Sequence, residues 1–552
     1  MITTTWNWLW KKHNQTKDLF TFFVKPQSSN LATGRSIDPS HSKKNGNGNG
    51  TYKPIQKIGL ILGPLLFFLI LFFFSPEGLS KEGIGVLAST TWIAVWWMTE
   101  AIPIPAASLL PIVLFPLLGS LTIEETTAAY GSDVIFLFMG GFMIALAMEK
   151  WDLHRRIALN IISIIGTNTD RIILGFMIAT GFLSMFISNT ATALMMVPIG
   201  LAVIYQISEA LKDHPSIDTS KENFGFGKAL MLSIAYSASI GGVATLIGTP
   251  PNAVLAGVIK KTYGIELSFA KWMMFGVPVA IVFMFVAWFY LVKIAYPLKV
   301  KEMPGGKEVI DEEKEKLGAP SFEEKSVFFI FILAALSWIF RSAILEKIIP
   351  NINDAIIAMT FAIILFLIPS KNKEGDRLLD WNTAVKLPWG ILLLFGGGLA
   401  IAEGFSTSGL SEWFGGQLTA LQGINIVVVL LVVSALVLFL TEITSNTATA
   451  TMMYPIMISL AVALEIHPYA VMVAAAVSAS CAFMLPVATP PNAVVFGSGY
   501  LRIPDMAKAG LLLNIVGTFI ITLAVYYLLP IVWGIDITEL PVEFLKPQSI
   551  LD

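Results

Sequence analysis

The stretch FISNTATALMMVPIG, residues 186–200, decides how the chain folds. Ser188, Asn189 and Thr190 are helix-capping, hydrogen-bonding residues, yet apolar runs flank them on both sides. As a single helix, 171–208 would extend about 57 Å, nearly twice the roughly 30 Å of bilayer hydrocarbon. The segment must break, and the polar tripeptide lies at its midpoint. The wording recurs as ITSNTATATMMYPI, residues 443–456, within the apolar run 425–465. Two more long runs, 228–260 and 469–498, break at GTPPN (248–252) and ATPPN (488–492), because paired prolines cannot continue a helix.

Composition places these breaks in a membrane. The 552 residues are 55% hydrophobic and 13% charged, with a mean hydropathy of +0.73, the signature of a polytopic membrane protein. A net charge of -2 argues against nucleic acid as a partner. The lone Cys481 excludes an internal disulfide framework. His13, His41, His154, His214 and His467 form no pair at metal-ligand spacing, so catalytic zinc is not expected. No nucleophile–base pair stands among the spans, and the chain does not read as an enzyme.

The fold expected is all-α: eleven transmembrane helices plus two re-entrant hairpins. Simple crossings fall at 58–74, 84–100, 104–119, 132–150, 272–296, 326–342, 353–369, 388–404 and 508–530. The two prolyl segments, 228–260 and 469–498, cross with an interruption, and the tripeptide segments 171–208 and 425–465 fold back as hairpins. Residues 1–57 carry nine Lys/Arg against two acids and read as a disordered cytoplasmic tail without a secretory leader. The 297–325 loop holds six lysines and is placed inside, whereas 405–424 has no Lys or Arg and falls outside with the tail 531–552. The three lysines in 260–271 run against this pattern. Amphipathic arms are expected at 151–170 and 405–424. Residues 58–150 and 326–404 then form a scaffold, and 171–296 and 425–530 the moving elements.

The halves repeat with inverted topology. FLFMGGFMIALA (136–147) matches LLLFGGGLAIAE (392–403), and the offset is 257 residues both from Ser188 to Ser445 and from Gly140 to Gly397. An odd number of crossings separates the hairpins, so they enter from opposite sides. Inverted repeats with broken helices mark the binding site of a secondary transporter. Each hairpin tip offers free N–H groups and a positive dipole end, which suit an anion. The helix arriving at the tip offers carbonyls, and hydroxyls at Ser184 and Thr441 stand one turn earlier to serve a hard cation. Carbonyls near Gly248 and Ala488 lack partners because proline has no N–H, and Thr249 and Thr489 offer hydroxyls to a substrate. The motifs contain no Lys or Arg, so bound cations must offset much of a dianion's charge.

These residues resemble the divalent anion:sodium symporter (DASS) family over roughly 55–535. The paired SNT tripeptides carry the likeness, with TEAIPIPAASLLP (99–111) and ASCAFMLPVATPPNAVV (479–495), whose Ser480, Phe483, Pro486, Asn492 and Val495 fit the family signature. The resemblance implies an elevator-type homodimer in the cell membrane that imports C4-dicarboxylates such as succinate, fumarate and malate. Sodium is the implied coupling ion, with no organic cofactor. One sodium would be held by Ser184, Ser188, Asn189 and Gly248, and a second by Thr441, Thr444, Asn446 and Ala488. Substrate would meet Asn189, Thr190, Asn446, Thr447, Thr489 and Pro490. Sodium-independent exchange, or symport of sulfate or citrate, are the nearest alternatives.

Outside the motifs, Glu442 stands three residues before Ser445 and is read as a modulator of cation affinity, a proton carrier or a structural carboxylate. His467 reads as a loop residue, EEKEK (312–316) as a solvated helix face, and Gly140–Gly141 and Gly396–Gly398 as sites of close helix packing.

Overall fold

The structure is a computed structural model that describes residues 53–166, 168–212, 218–221, 223–297, 306–372 and 375–544. Most of the expected N-terminal tail, with His13 and His41, lies outside these residues, as does His214. Among the described residues the regular elements are helices, apart from an isolated antiparallel bridge between Pro369 and Arg377. Nine of these helices are long and apolar enough to cross a bilayer, or ten if a bent pair counts as one span. That pair is the second arm with the helix after it, Leu410–Leu421 and Ile426–Thr441, turned by 119°.

The four breaks fall where the sequence places them. Each tripeptide separates two packed helices: Thr169–Ser184 from Asn189–Ala210, and Ile426–Thr441 from Asn446–Leu464. Each prolyl motif likewise separates a pair: Gly225–Val243 from Pro250–Tyr263, and Pro468–Ala479 from Pro490–Gly497. Proline occupies the first turn of both later halves, where its missing N–H would be unpaired in any case.

Two expected spans are shorter than a crossing. Residues 104–119 form Ile104–Ala107 and Leu110–Leu117, parted at Ser108–Leu109 by the demands of Pro111 in the first turn of the second helix. The Ser108 carbonyl freed there accepts the Tyr130 hydroxyl at 2.5 Å. Asp354–Leu367 has 14 residues, about 21 Å at ~1.5 Å per residue. The glycine expectation holds. A Cβ on Gly140 would lie 2.7 Å from the Ala358 carbonyl carbon, and one on Gly397 would lie 2.5 Å from Ser108 O.

Three segments outside the motifs are more closely packed than their sequence shows, His467 while lying, as expected, in the loop before Pro468. His467 is 2% exposed, caps the Pro468–Ala479 helix by accepting from Tyr469 N, and stacks on Tyr469. The EEKEK segment lies, as expected, on a helix, Gly306–Leu317, with Glu312, Glu315 and Lys316 exposed, and that helix docks on the first arm, Leu153–Ile165, through Arg155–Glu313. The described part of the C-terminal tail packs back on the helices: Phe544 is 2% exposed against Tyr263, His467 and Tyr469.

The repeats interleave at the centre. Asn189–Ala210 packs on Pro490–Gly497 of the other repeat, and Asn446–Leu464 packs on Pro250–Tyr263. Tyr454 closes the second contact, its hydroxyl donating to Pro251 O at 2.7 Å. Every hairpin therefore meets the broken helix of the opposite half.

Candidate functional site

The first cluster forms around the Asn189 amide. Ser188 caps the helix by accepting from Ala191 N at 3.2 Å, which fixes Asn189 as its first residue. One terminal atom of that amide lies beside Ser184 Oγ and 3.2 Å from both Ala238 O and Gly248 O. The partners of that atom favour nitrogen in this place, an N–H2 donating to Ala238 O and Gly248 O. Turned over, the amide would bring its oxygen to those two carbonyls and to the Ser184 hydroxyl, which donates to Ala238 O at 2.6 Å. With the amide so turned, the hydroxyl, amide and backbone oxygens form a set that suits a hard cation. The backbone closes in tightly: a Cβ on Gly242 would be 2.9 Å from both Asn189 Oδ1 and Gly248 O.

The second cluster is built from the equivalent residues of the other repeat. Thr441 Oγ1 lies 2.7 Å from Asn446 Oδ1 and 3.1 Å from Ala479 O. Thr441 replaces Ser184, Asn446 replaces Asn189, and Ala479 replaces Ala238. Of the expected ligands, Ser184, Asn189 and Gly248 come together, as do Thr441 and Asn446. Ser188 spends its hydroxyl on the cap, and Thr444 turns its own toward Leu440 O at 2.8 Å. Ala488 is buried in the second break, its N–H donating to Leu485 O. The Ala238 and Ala479 carbonyls were not anticipated, although the tripeptide SAS at 237–239 and 478–480 marks them in both halves.

The unwound loops are held differently. In the first, Thr245 Oγ1 accepts from Gly248 N at 3.0 Å and donates to Met185 O. In the second, Glu442 takes the place of Met185 and its carboxylate accepts from Phe483 N (2.7 Å), Met484 N (3.0 Å), Leu485 N (3.2 Å) and Asn514 Nδ2 (2.7 Å). At 3% exposure with four donors, Glu442 is a clamp on the loop. Both loops are also bound by the asparagine of the TPPN motif, Asn252 and Asn492.

The expected substrate residues stand at helix N-termini. Asn189 and Asn446 open the two hairpin exit helices, followed by Thr190 and Thr447. Thr489 caps Pro490–Gly497 by accepting from Asn492 N at 3.2 Å. Thr249 Oγ1 lies 3.3 Å from Ser480 Oγ, joining the two breaks across the repeat boundary. The breaks differ in access: Val487 is 82% exposed and Pro490 is exposed, whereas Ile247 is 5% exposed. Pro250–Tyr263 is packed against Trp389–Thr407 and Asp133–Lys150, and its last turn is pinned by Lys260–Asp133 (2.5 Å) and Lys261–Glu403 (3.4 Å). Those pairs account for two of the three lysines that run against the charge pattern.

Residues 56–534 match the family described as sodium:sulfate symporter transmembrane region. A Staphylococcus saprophyticus protein named sodium-dependent dicarboxylate transporter SdcS is 52% identical over 495 residues, covering 89% of this chain and 95% of that one. Its namesake in Staphylococcus aureus strain USA300 is 52% identical over 490 residues, 88% of this chain and 93% of that one. At the level of fold, the chain resembles Neisseria gonorrhoeae MtrF with a TM-score of 0.51 at 12% identity, covering 85% of this chain and 94% of that one. The Alcanivorax borkumensis YdaH transporter gives 0.52 at 14% identity, covering 81% and 98%. The chain belongs to the sodium:sulfate symporter family, the divalent anion:sodium symporters that its motifs resemble.

Proposed function

We propose that the protein is a sodium-coupled symporter that imports C4-dicarboxylates such as succinate, fumarate and malate. The observation that carries this reading is the pair of matching clusters of hydroxyl, amide and backbone carbonyl at Asn189 and Asn446, each at the start of a helix. A helix N-terminus favours the substrate carboxylate, while the adjoining oxygens favour Na+. No Lys or Arg stands in the motif segments 184–192, 238–252, 441–449 and 479–495. The ions therefore supply the positive charge that a dianion needs, and binding of the two becomes mutually dependent. A sodium-independent exchanger would have no use for two such clusters. Curated relatives that share about half of the sequence carry the name sodium-dependent dicarboxylate transporter.

Ser184, Asn189 and Gly248, with Ser188 completing the hairpin tip, hold one sodium in this reading. Thr441, Asn446, Thr444 and Ala488 hold the other. Asn189, Thr190, Asn446, Thr447, Thr489 and Pro490 face the substrate. Movement is of the elevator type, with helices 171–296 and 425–530 sliding against the scaffold of a homodimer. The sealed Pro250–Tyr263 end and the exposed Pro490 end correspond to a state open on one side. With the N-terminus cytoplasmic and the C-terminus extracellular, that side is the cytoplasm.

Labelled succinate uptake by purified protein in liposomes tests the reading. Uptake is expected to require an imposed sodium gradient, and equal uptake in choline or potassium buffer would reject coupling. Sulfate and citrate, added as competitors, are expected to displace succinate poorly.

A further inference from the structure

We propose that Asn252 and Asn492 are positioning residues for the two sodium sites, each amide tying together the unwound backbone whose carbonyls face the ion. This rests on the reading of the breaks as sodium sites given above. Asn252 Nδ2 donates to Thr245 O (2.8 Å), Val243 O (3.2 Å) and Gly242 O (3.3 Å). Asn492 Nδ2 donates to Leu485 O (3.0 Å) and Ala482 O (3.1 Å). Both side chains reach back to the residues seven and ten positions earlier, so one amide spans each break from its far end. Both are 0% exposed.

The amide orientation is fixed by these partners, since a flipped group would set oxygen against backbone carbonyls. Oδ1 of each asparagine is left buried without a hydrogen-bond partner. An unpartnered buried acceptor is costly, yet both repeats retain it at the same place, which points to a demand on the N–H2 end. The link to the ion site is direct in the first repeat. Asn252 holds the carbonyl of Gly242, the residue whose backbone walls the cluster of Asn189 and Gly248. In the second repeat Asn492 holds Leu485 O, which also accepts from the expected ligand residue Ala488. Thr245 and Glu442 hold these loops by their N–H groups, while the asparagine amides hold the carbonyl oxygens themselves.

The repeats should not respond equally. Glu442 independently holds Phe483, Met484 and Leu485 by their N–H groups, while the first loop has Thr245 beside Asn252. Asn252 therefore carries more of its loop than Asn492 does.

The test uses full-length protein with Asn252→Ala, Asn252→Asp, Asn492→Ala and Asn492→Asp. It measures half-saturating Na+ for succinate uptake, succinate KM at saturating Na+, and melting temperature in choline and in Na+ buffer. The expected result is a rise in half-saturating Na+ of about 10- to 100-fold, the range for groups that orient metal ligands, larger for Asn252 than for Asn492. The Na+-induced rise in melting temperature should shrink in parallel, while succinate KM at saturating Na+ changes far less. Folded variants with the wild-type Na+ titration would overturn the proposal. So would melting temperatures lowered equally in both buffers with Na+ affinity intact, the mark of a purely structural role. If the Asp variants do not fold, the Ala variants decide by the same two readings. Failure of the transport reading is separate: it appears as absent Na+-dependent uptake in the wild type, and the Na+ melting titration still reports on the asparagines.

Discussion

Gly248→Ala separates what the motif suggests from what the geometry requires. Ala488 occupies the same place in the second repeat, so by symmetry of sequence the change is conservative. The backbone says otherwise, because a Cβ on Gly248 would stand 2.5 Å from Gly242 O and 3.0 Å from Gly242 C. Opening 2.5 Å to an ordinary 3.4 Å contact parts the two backbones by about 0.9 Å, well beyond the roughly 0.2 Å tolerance of a ligand distance. Overpacking of this kind costs about 1–3 kcal/mol. Borne by the ion-bound state, it raises half-saturating Na+ by about 5- to 150-fold. Na+ titration of succinate uptake in proteoliposomes reads the shift directly, with Ala488→Gly as the control that introduces no Cβ. A Gly248→Ala protein whose half-saturating Na+ stays within about twofold of wild type would refute the reasoning, since about 0.4 kcal/mol is too little for such a clash.

Glu442→Gln replaces charge-assisted hydrogen bonds with neutral ones and sets an amide N–H2 among donors; a stability loss of about 1.5–3 kcal/mol is expected by thermal melting, larger than for Met185→Leu at the matching position. Two sodium ions with one dianion carry no net charge, so a potassium diffusion potential should leave uptake unchanged, whereas a third ion would add about 2.3 kcal/mol per 100 mV. Lys260 and Lys261 hold one end of the broken helix to Asp133 and Glu403. Reversing Lys260 and Lys261 to Glu should slow uptake and increase labelling of a cysteine placed at Leu246, and adding Asp133→Lys with Glu403→Lys should restore both. Lys150, donating to Asp380 at 2.8 Å, holds that loop carboxyl well below the usual range. Its folded-state pKa is depressed, so the stabilisation is complete above about pH 4 and lost as pH falls through the folded value. Lys150→Met should therefore cost melting temperature at pH 7 and progressively less in acid.

The breaks were legible because polar caps and paired prolines within apolar runs have no place in a continuous membrane helix. Ser188, Ser445, Pro250 and Pro490 all mark helix starts as expected. The repeat then brought Ser184 to Asn189 and Thr441 to Asn446. The Ala238 and Ala479 oxygens stayed hidden because a backbone carbonyl leaves no trace in residue type, and only the repeated SAS hints at them. Glu442 was visible as an acid in an apolar run, but its three backbone donors lie 41 to 43 residues away along the chain. Lys260 and Lys261 looked like exceptions to a charge rule that counts loops and ignores acids on neighbouring helix ends. Hydropathy alone also merged Ile104–Ala107 with Leu110–Leu117, although four prolines in 103–116 signalled a broken path.

The most direct measurement is an experimental structure determined in sodium and succinate. Ion density is expected beside Asn189 and Asn446, with each succinate carboxylate lying at a helix start. A ligand gripped by a lysine or arginine with no ion nearby, or either asparagine turned toward lipid, would contradict that expectation.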